Sequence, residues 1–312
     1  MSRPNFFIVG APRCGTTAMY EYLRHHPQVF MPYRKEPVYF GSDLAKRPPY
    51  LDAAGYLALF EPAGSAKAIG EATVWYLYSE TAPVQIKAMA PDARIIIMLR
   101  NPIEMIHSLH RHWLWSANED LADFGKAIAA EPDRAAGRRL PPNTEQPIGL
   151  RYTWLGKYSP HVQRWLDAFG PERVLVLIYD DLADDDGRRV GRQTLSFLGV
   201  DTDYDAEFEV VNQNKRARSP RLQRLSRSRG FMRVAGRLPP RLFHVLWRGL
   251  QRANIRPEPR SPIEPGLRSR LAAEFAPDVA VLGRLLGRDL SHWTAAAEAG
   301  TAPATPAADV PA

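Results

Sequence analysis

The chain has 312 residues, of which 45% are hydrophobic and 24% are charged, and its formal net charge is +7. A chain of this length and apolar content can bury one sizeable core, which favours a single large α/β domain over two independent domains. The positive net charge indicates an anionic partner. Because Cys14 is the single cysteine, an intrachain disulfide framework is excluded, and nothing indicates an oxidising compartment.

The positions of the apolar runs suggest where the protein resides. The first run, Phe6 to Val9, leaves no room after Met1 for a secretion signal or a membrane anchor. The longest later aliphatic run, Ile95 to Leu99, is far too short to span a bilayer. We therefore expect a soluble, cytoplasmic protein without a transmembrane segment.

Predicted strands and helices alternate along the first two thirds of the chain. Buried strands are predicted at residues 5–9, 94–99 and 173–178, and helices at 16–25, from Pro102 onward, at 151–169 and at 180–198. This alternation predicts a three-layer α/β fold with a central parallel β-sheet flanked by helices. Because ligands bind outside the carboxyl ends of such strands, we expect Gly10, Arg100 and Tyr179 at one edge of the sheet.

Three further segments differ from this core in composition. Glu131 to Pro147 is rich in Pro, Arg and Gly, which is typical of an excursion or lid. Residues 212–256 contain no acidic side chain and many basic ones, and residues 294–312 have the composition of a disordered tail. We expect one domain over residues 1–293, with the tail outside it.

The loop after the first predicted strand has the spacing of a phosphate-binding P-loop, GxxxxGK(S/T). Gly10, Gly15 and Thr17 match it, and Thr16 stands where the nucleotide-binding version has Lys. The N-terminus of a helix still attracts a phosphate, and Arg13 can supply the missing cation. The replacement disfavours ATP or GTP hydrolysis, because a γ-phosphate and its magnesium lose their usual partner. A tight turn that needs glycine for backbone reasons is the alternative.

The loop sequence Pro12-Arg13-Cys14-Gly15-Thr16-Thr17 resembles the 5′-phosphosulfate loop of sulfotransferases that use 3′-phosphoadenosine 5′-phosphosulfate (PAPS). The resemblance implies a P-loop-like fold, PAPS as the donor, and a catalytic role for Arg13, which would contact the bridging oxygen of the leaving phosphate. It assigns donor binding to the loop and the first helical turn: Arg13, Cys14, Gly15, Thr16, Thr17 and Ala18.

A second segment, Ile95 to Ser108, resembles the 3′-phosphate motif of the same family. In that motif an Arg at a strand end and a Ser on the following helix bind the ribose phosphate, and Arg100 and Ser108 match these positions. Ser108 follows two helical turns into the next helix, so both side chains can face one crevice. A helix-capping Arg and a packed Ser are the alternative. We also expect Tyr179 among the donor contacts, since it ends the third predicted strand.

A third segment, Arg34 to Phe40, resembles the part of heparan-type sulfotransferases that carries the catalytic glutamate. This implies that Glu36 is the general base, which takes a proton from the acceptor hydroxyl or amine as the sulfur is attacked in line. A solvated glutamate beside Lys35 is the alternative.

The sequence departs from the heparan-type pattern at two positions. Val38 stands where His is common, and Ala72 stands where Lys is common. Glu71 is a second candidate carboxylate. The histidines of the helix after Pro102 offer a third choice of base, although packing or surface roles suit them better: His107, His110 and His112.

The basic region begins where related enzymes have a loop that closes over the 3′-phosphate and adenine. Lys215, Arg216 and Arg218 are the candidate donor contacts in it. The same charges could bind an anionic polysaccharide or make peripheral contact with anionic lipid, or they could form a solvated helix. We expect no nucleic-acid partner, because few aromatic residues interleave with the charges.

These segments predict a metal-independent sulfotransferase that uses PAPS to sulfate a hydroxyl or amine of a carbohydrate or a small natural product. A P-loop small-molecule kinase and a non-catalytic polyanion-binding protein are the alternatives. Three stretches are expected to build the acceptor pocket, with the excursion at Glu131 to Pro147 as a further candidate: Arg34 to Asp43, Trp75 to Tyr78, and Trp113 to Trp115. The oligomeric state is left open.

Overall fold

The protein is built around a sheet of five parallel strands. The computed structural model describes residues 2–45, 51–204, 215–217, 255–257 and 262–295. The strands are β1 (Phe6–Gly10), β2 (Val29–Phe30), β3 (Ala68–Ala72), β4 (Arg94–Leu99) and β5 (Val174–Ile178). They lie in the order β2-β3-β1-β4-β5, and each neighbouring pair is parallel. The predicted fold, a parallel α/β sheet, is therefore confirmed.

Strand β3 was not among the predicted elements, yet it lies beside the central strand β1. Its sequence, Ala-Ile-Gly-Glu-Ala, lacks the run of large aliphatic residues that makes β4 visible in the sequence. Small residues suit this position because Gly70 lies tightly against its neighbours. A Cβ at Gly70 would lie 2.1 Å from the ring of Phe6 and 2.4 Å from the sulfur of Met31.

Ten helices accompany the sheet in the described residues. They are α1 (Thr16–Arg24), α2 (Ala53–Ala58), α3 (Ala82–Met89), α4 (Pro102–Ser116), α5 (Phe124–Ala129), α6 (Glu131–Ala135), α7 (Tyr152–Gly156), α8 (Ser159–Phe169), α9 (Arg188–Leu198) and α10 (Pro265–Leu286). Helix α10 had not been predicted. It buries Leu271, Phe275 and Val279 and packs against α8.

Two predicted helices are each divided in the structure. The stretch 151–169 forms α7 and α8, because Pro160 fits the first turn of a new helix but not the interior of a continuous one. The stretch 180–198 begins with 3₁₀ turns over Tyr179–Gly187, and α9 starts only after Gly187, whose φ is 76°. Both uninterrupted helices were therefore wrong.

The excursion predicted at Glu131 to Pro147 is anchored in the core at its start. It opens with α6, where the fully buried guanidinium of Arg134 donates to both carboxylate oxygens of Glu119 at 2.6 Å. Tyr152 donates to the same carboxylate at 2.9 Å. A buried ion pair with further hydrogen bonds holds this end firmly, and a lid function for the remainder stays a prediction.

Part of the basic region is described as backbone. Strand β6 (Lys215–Ala217) pairs antiparallel with β7 (Ile255–Pro257), and β6 lies against α4. The rest of residues 212–256, the tail beyond residue 295 and the side chains of Lys215 and Arg216 lie outside the described part of the chain. Within the described ranges, no helix has the length and hydropathy needed to cross a membrane.

Candidate active site

The loop between β1 and α1 forms an anion-binding geometry. Gly15 caps α1 with a left-handed φ of 87°, and Arg13 is also left-handed, with a φ of 63°. In the described part of the chain, no side chain caps this helix end. The first-turn amides of Thr16, Thr17 and Ala18 have no intrahelical carbonyl to bind, and the helix dipole adds partial positive charge. This is the arrangement that binds phosphate at a helix N-terminus.

Cys14 lies in the same loop, but its side chain is turned into the core. The thiol is fully buried, and Sγ donates to the carbonyl oxygen of Pro12 at 3.4 Å. Burial raises the pKa of the thiol to about 12, although the nearby guanidinium groups of Arg100 and Arg13 lower it. The thiol is therefore protonated, and only the backbone of Cys14 is available to a ligand.

The phosphate loop and helix α4 meet through a side-chain hydrogen bond. Nε of Arg13 donates to Oγ of Ser108 at 3.1 Å, although 95 positions separate the two residues in the chain. Arg13 comes from the loop predicted to bind the 5′-phosphosulfate, and Ser108 comes from the motif predicted to bind the 3′-phosphate. The structure thus brings both predicted anion sites to one edge of the sheet.

Arg100 and Tyr179 complete this edge. Arg100 is buried at the end of β4, and its guanidinium carbon lies 4.7 Å from the centre of the Tyr179 ring, within cation–π range. The same ring borders the loop, because a Cβ on Gly15 would lie 3.1 Å from it. The aromatic ring therefore fixes Arg100 beside the loop. Of the predicted basic contacts, Arg218 lies outside the described residues, while the backbone of Lys215 and Arg216 belongs to β6, beside α4.

The segment that carries Glu36 is attached to the carboxyl end of β3. The backbone N–H of Glu36 donates to the carbonyl oxygen of Ala72 at 2.9 Å, and β3 pairs directly with β1, which leads into the phosphate loop. The carboxylate of Glu36 is partly exposed and pairs with Nζ of Lys35 at 2.7 Å. Both Glu36 and Val38 are left-handed, with φ values of 59° and 49°. Glu36 thus lies at the same sheet edge as the loop.

Glu71, the second candidate carboxylate, is the penultimate residue of β3 and is fully buried. Its oxygens accept hydrogen bonds from Tyr56 Oη at 2.5 Å and from Thr73 Oγ1 at 2.7 Å. Burial raises the pKa of this carboxyl to about 7, although the hydroxyls of Tyr56, Thr73 and Tyr76 lower it. A buried carboxyl without direct access to solvent cannot contact an acceptor unless neighbouring residues move.

The sequence matches a known protein family over most of its length. The sequence profile of the sulfotransferase domain family matches residues 3–233. The chain belongs to this family. A sulfotransferase from Alicyclobacillus acidocaldarius, known from its crystal structure, superposes with a TM-score of 0.70 at 31% identity, covering 94% of this chain and 99% of that one.

The names of curated relatives of this sulfotransferase specify carbohydrate substrates. Carbohydrate sulfotransferase 15 of Homo sapiens is 29% identical over an aligned length of 236 residues, and the match covers 58% of this chain and 41% of that protein. Heparan sulfate glucosamine 3-O-sulfotransferase 6 of Homo sapiens is 27% identical over 254 residues, which are 80% of this chain and 68% of that protein. The chain thus spans about two fifths of the length of the first of these relatives.

The histidines of α4 in the sulfotransferase pack against aromatic rings. His107 and His110 both lie 5.1 Å from the ring of Phe124, and His112 lies 5.5 Å from that of Trp113. His110 also binds the carbonyl oxygen of Leu121, and burial lowers its pKa. These contacts agree with the packing interpretation of the three histidines.

One aromatic stretch expected to line an acceptor pocket, Trp75 to Tyr78, is instead core, whereas in the stretch Trp113 to Trp115 only Trp113 is buried. All residues of Trp75 to Tyr78 are buried, and Trp75 stacks on Trp113 with ring centres 5.7 Å apart. The indole N–H of Trp113 donates to the carbonyl oxygen of Gly149 at 3.0 Å. The prediction treated large aromatics as ligand-facing, whereas here they fill the space beside α4. Of the predicted pocket, Arg34 to Asp43 remains at the site edge, beside the almost fully exposed Tyr33.

The sequence did not reveal that the end of the described chain packs against the sheet edge that carries Arg100 and Tyr179. Nε1 of Trp293 donates to Asp180 at 2.9 Å, and the carbonyl oxygen of Trp293 accepts from Nδ2 of Asn101, also at 2.9 Å. Arg288 makes a bidentate pair with Asp181, at 2.5 Å for each bond. Leu271, Phe275, Val279 and Leu282 recur at helical spacing, so α10 could have been predicted, but its docking site could not.

Proposed function

We propose that this sulfotransferase transfers the sulfuryl group of PAPS to a hydroxyl or amine group of a carbohydrate. The proposal rests above all on the hydrogen bond between Arg13 and Ser108, which brings two anion-binding elements together. PAPS carries anionic groups at both ends of its ribose, a 5′-phosphosulfate and a 3′-phosphate. The loop amides and Arg13 suit the first group, and Arg100 with Ser108 suits the second.

In the proposed reaction, an acceptor oxygen or nitrogen forms a bond to sulfur as the bond between sulfur and the bridging phosphate oxygen breaks. Glu36 takes the proton that the acceptor loses, and adenosine 3′,5′-bisphosphate leaves. The guanidinium of Arg13 and the first-turn amides of α1 stabilise the charge that develops on the leaving phosphate. Nζ of Lys35 pairs with the carboxylate of Glu36 at 2.7 Å and orients it.

A carbohydrate acceptor is supported by the curated relatives, whose names specify carbohydrate or heparan sulfate substrates. The chain itself offers Arg34 and Lys35 beside Glu36, and these cations suit an anionic saccharide. A small natural product is the acceptor class against which the proposal must be tested.

The test is an assay with PAPS that carries a radiolabelled sulfuryl group, in the presence of EDTA. Desulfated heparin, desulfated chondroitin and 4-nitrophenol serve as acceptors, and ATP with magnesium replaces PAPS in a control. We expect release of adenosine 3′,5′-bisphosphate, label on a polysaccharide, and thermal stabilisation by the bisphosphate product. Absence of that stabilisation would contradict the proposed donor, and labelling of 4-nitrophenol alone would contradict the carbohydrate acceptor. Loss of turnover in EDTA would contradict the predicted metal independence.

A further inference from the structure

The hydrogen-bond network of Glu71 is connected to the segment that carries Glu36. Tyr56 and Thr73 donate to the two oxygens of the Glu71 carboxyl. The hydroxyl of Tyr76 also lowers the pKa of this carboxyl through a hydrogen-bonding interaction. A carboxyl group taken out of water needs such donors, because each unpaired polar atom in the core is unfavourable. The network therefore determines where the two tyrosine rings lie.

Both tyrosines of this network also hold the residues that follow Glu36. The hydroxyl oxygen of Tyr76 accepts the backbone N–H of Tyr39 at 3.0 Å and that of Phe40 at 3.1 Å. The ring of Tyr39 stacks on that of Tyr56, with centres 4.1 Å apart and planes within 10°. The buried carboxyl of Glu71 thus orients Tyr56 and Tyr76, which in turn contact residues 39 and 40.

The segment needs such support because its backbone is strained. Glu36 and Val38 have φ values of 59° and 49°, in a region that residues other than glycine seldom adopt and that β-branched residues adopt least of all. A strained backbone of this kind persists only where the surrounding structure holds it. Here the carbonyl oxygen of Ala72 holds the backbone of Glu36, and the two tyrosines hold the residues after Val38.

We propose that Glu71 is a positioning residue for sulfuryl transfer, which holds residues 36–40 through Tyr56 and Tyr76 in the conformation that presents Glu36 to the acceptor. The proposal rests on the proposed function, since Glu36 is the base only in that reaction. Glu71 itself touches neither donor nor acceptor.

The charge state of Glu71 should make the rate of sulfuryl transfer depend on pH. The groups that face it are the hydroxyls of Tyr56 and Tyr76 and the carboxylate of Glu36, which is itself paired with Lys35. Ionised Glu71 accepts from all of its hydroxyl neighbours, whereas a protonated carboxyl must itself donate, which disrupts this pattern. Because the pKa of Glu71 is raised to about 7, positioning should weaken as the pH falls through that value.

Four variants test the proposal in the sulfotransferase assay: Glu71→Gln, Tyr76→Phe, Tyr56→Phe and the matched control Tyr152→Phe. Tyr152 also donates to a buried carboxylate, that of Glu119, in a cluster outside the site. For Glu71→Gln and Tyr76→Phe we expect kcat to fall by about tenfold to a hundredfold, the size typical of misplaced catalytic groups. KM for PAPS and thermal stabilisation by adenosine 3′,5′-bisphosphate should change little. Tyr152→Phe should keep the wild-type kcat.

The pH profile of kcat separates positioning from general damage to the fold. The wild type should lose activity on the acid side with a midpoint near the raised pKa of Glu71, and Glu71→Gln should lack that limb. Should Glu71→Gln fail to fold, the two tyrosine variants decide the matter, since each removes a single hydroxyl. Wild-type transfer together with network variants that match Tyr152→Phe in kcat would overturn the inference. A wild type that neither binds adenosine 3′,5′-bisphosphate nor transfers sulfate would instead overturn the proposed function.

Discussion

The two side chains assigned to the chemistry are both carried by left-handed backbone. Arg13 has a φ of 63° and Glu36 a φ of 59°. Glycine adopts this conformation without strain, but it cannot supply a guanidinium or a carboxylate. The strain occurs at the two positions to which the proposed reaction assigns a functional side chain, and hydrogen bonds to Ser108 and to the carbonyl oxygen of Ala72 stabilise it.

Replacement of Glu36 by Gln should separate catalysis from donor binding. The amide cannot accept the acceptor proton, so we expect kcat to fall by about a hundredfold to ten-thousandfold, the usual contribution of a general base. Stabilisation by adenosine 3′,5′-bisphosphate should be preserved, because Glu36 lies on the acceptor side. The exposed Glu61 provides the control variant Glu61→Gln. Undiminished turnover in Glu36→Gln would exclude this residue as the base.

Replacement of Arg13 by Ala should damage transfer more than it damages binding of the product nucleotide. In the proposed reaction its guanidinium stabilises the leaving phosphate, and removal of one such stabilising donor typically lowers kcat by about a hundredfold to a thousandfold. The loop amides and Arg100 remain to hold the phosphates. Calorimetric titration with adenosine 3′,5′-bisphosphate, set beside kcat, checks the ratio, and an equal loss in both quantities would assign Arg13 to binding alone.

Some elements of the fold could be predicted from the sequence, and others could not. Strand β4 is a run of large aliphatic residues, and the loop after β1 has diagnostic spacing, so both were predicted. Strand β3 is made of small residues and a glutamate, so no local signal marked it. Its neighbours alone stabilise it as a strand. The contact between Arg13 and Ser108 likewise depends on the register of the whole sheet, which local patterns do not specify.

The tight packing of β3 can be tested at Gly70. In Gly70→Ala the added methyl would collide with Phe6 and Met31, and overpacking of this kind costs about 1–3 kcal/mol in the free energy of unfolding. Gly125→Ala in α5 is the control, because its Cβ would meet only ordinary contacts, at 3.4 Å and beyond. Urea unfolding of both variants measures the difference. Equal stability of the two would show that β1 and β3 are less closely packed than described.

Glu71 should also make the stability of β3 depend on pH. Its pKa is raised from 4.5 to about 7 in the folded state, so the folded protein binds a proton that the unfolded chain releases. The associated stability, at most about 3 kcal/mol, is fully present below pH 4.5 and is lost as the pH rises to about 7. In Glu71→Gln, this pH-dependent decrease in the free energy of unfolding should be absent. A variant with the same slope as the wild type would assign the dependence to another group.

At the scale of the whole molecule, the sheet edge that carries Arg100 and Tyr179 is in contact with residues beyond the segment that matches the family profile. That match ends at residue 233, whereas Arg288 and Trp293 bind the turn after β5, and Trp293 also binds Asn101 after β4. A chain that stops at residue 260 would keep every predicted donor residue. We expect it to lose stabilisation by adenosine 3′,5′-bisphosphate and to expose the surface that Leu271 and Phe275 cover. Retained stabilisation would show that residues 265–293 are dispensable for nucleotide binding.

The contacts of residues 265–293 also predict an order of events during synthesis. Domains begin to fold from the N-terminus while the ribosome still extends the chain. Here the phosphate loop emerges long before Trp293, yet the turns after β4 and β5 gain the partners that Trp293 supplies only when that residue has left the exit tunnel. The nascent chain should therefore bind adenosine 3′,5′-bisphosphate only after residue 293 has emerged.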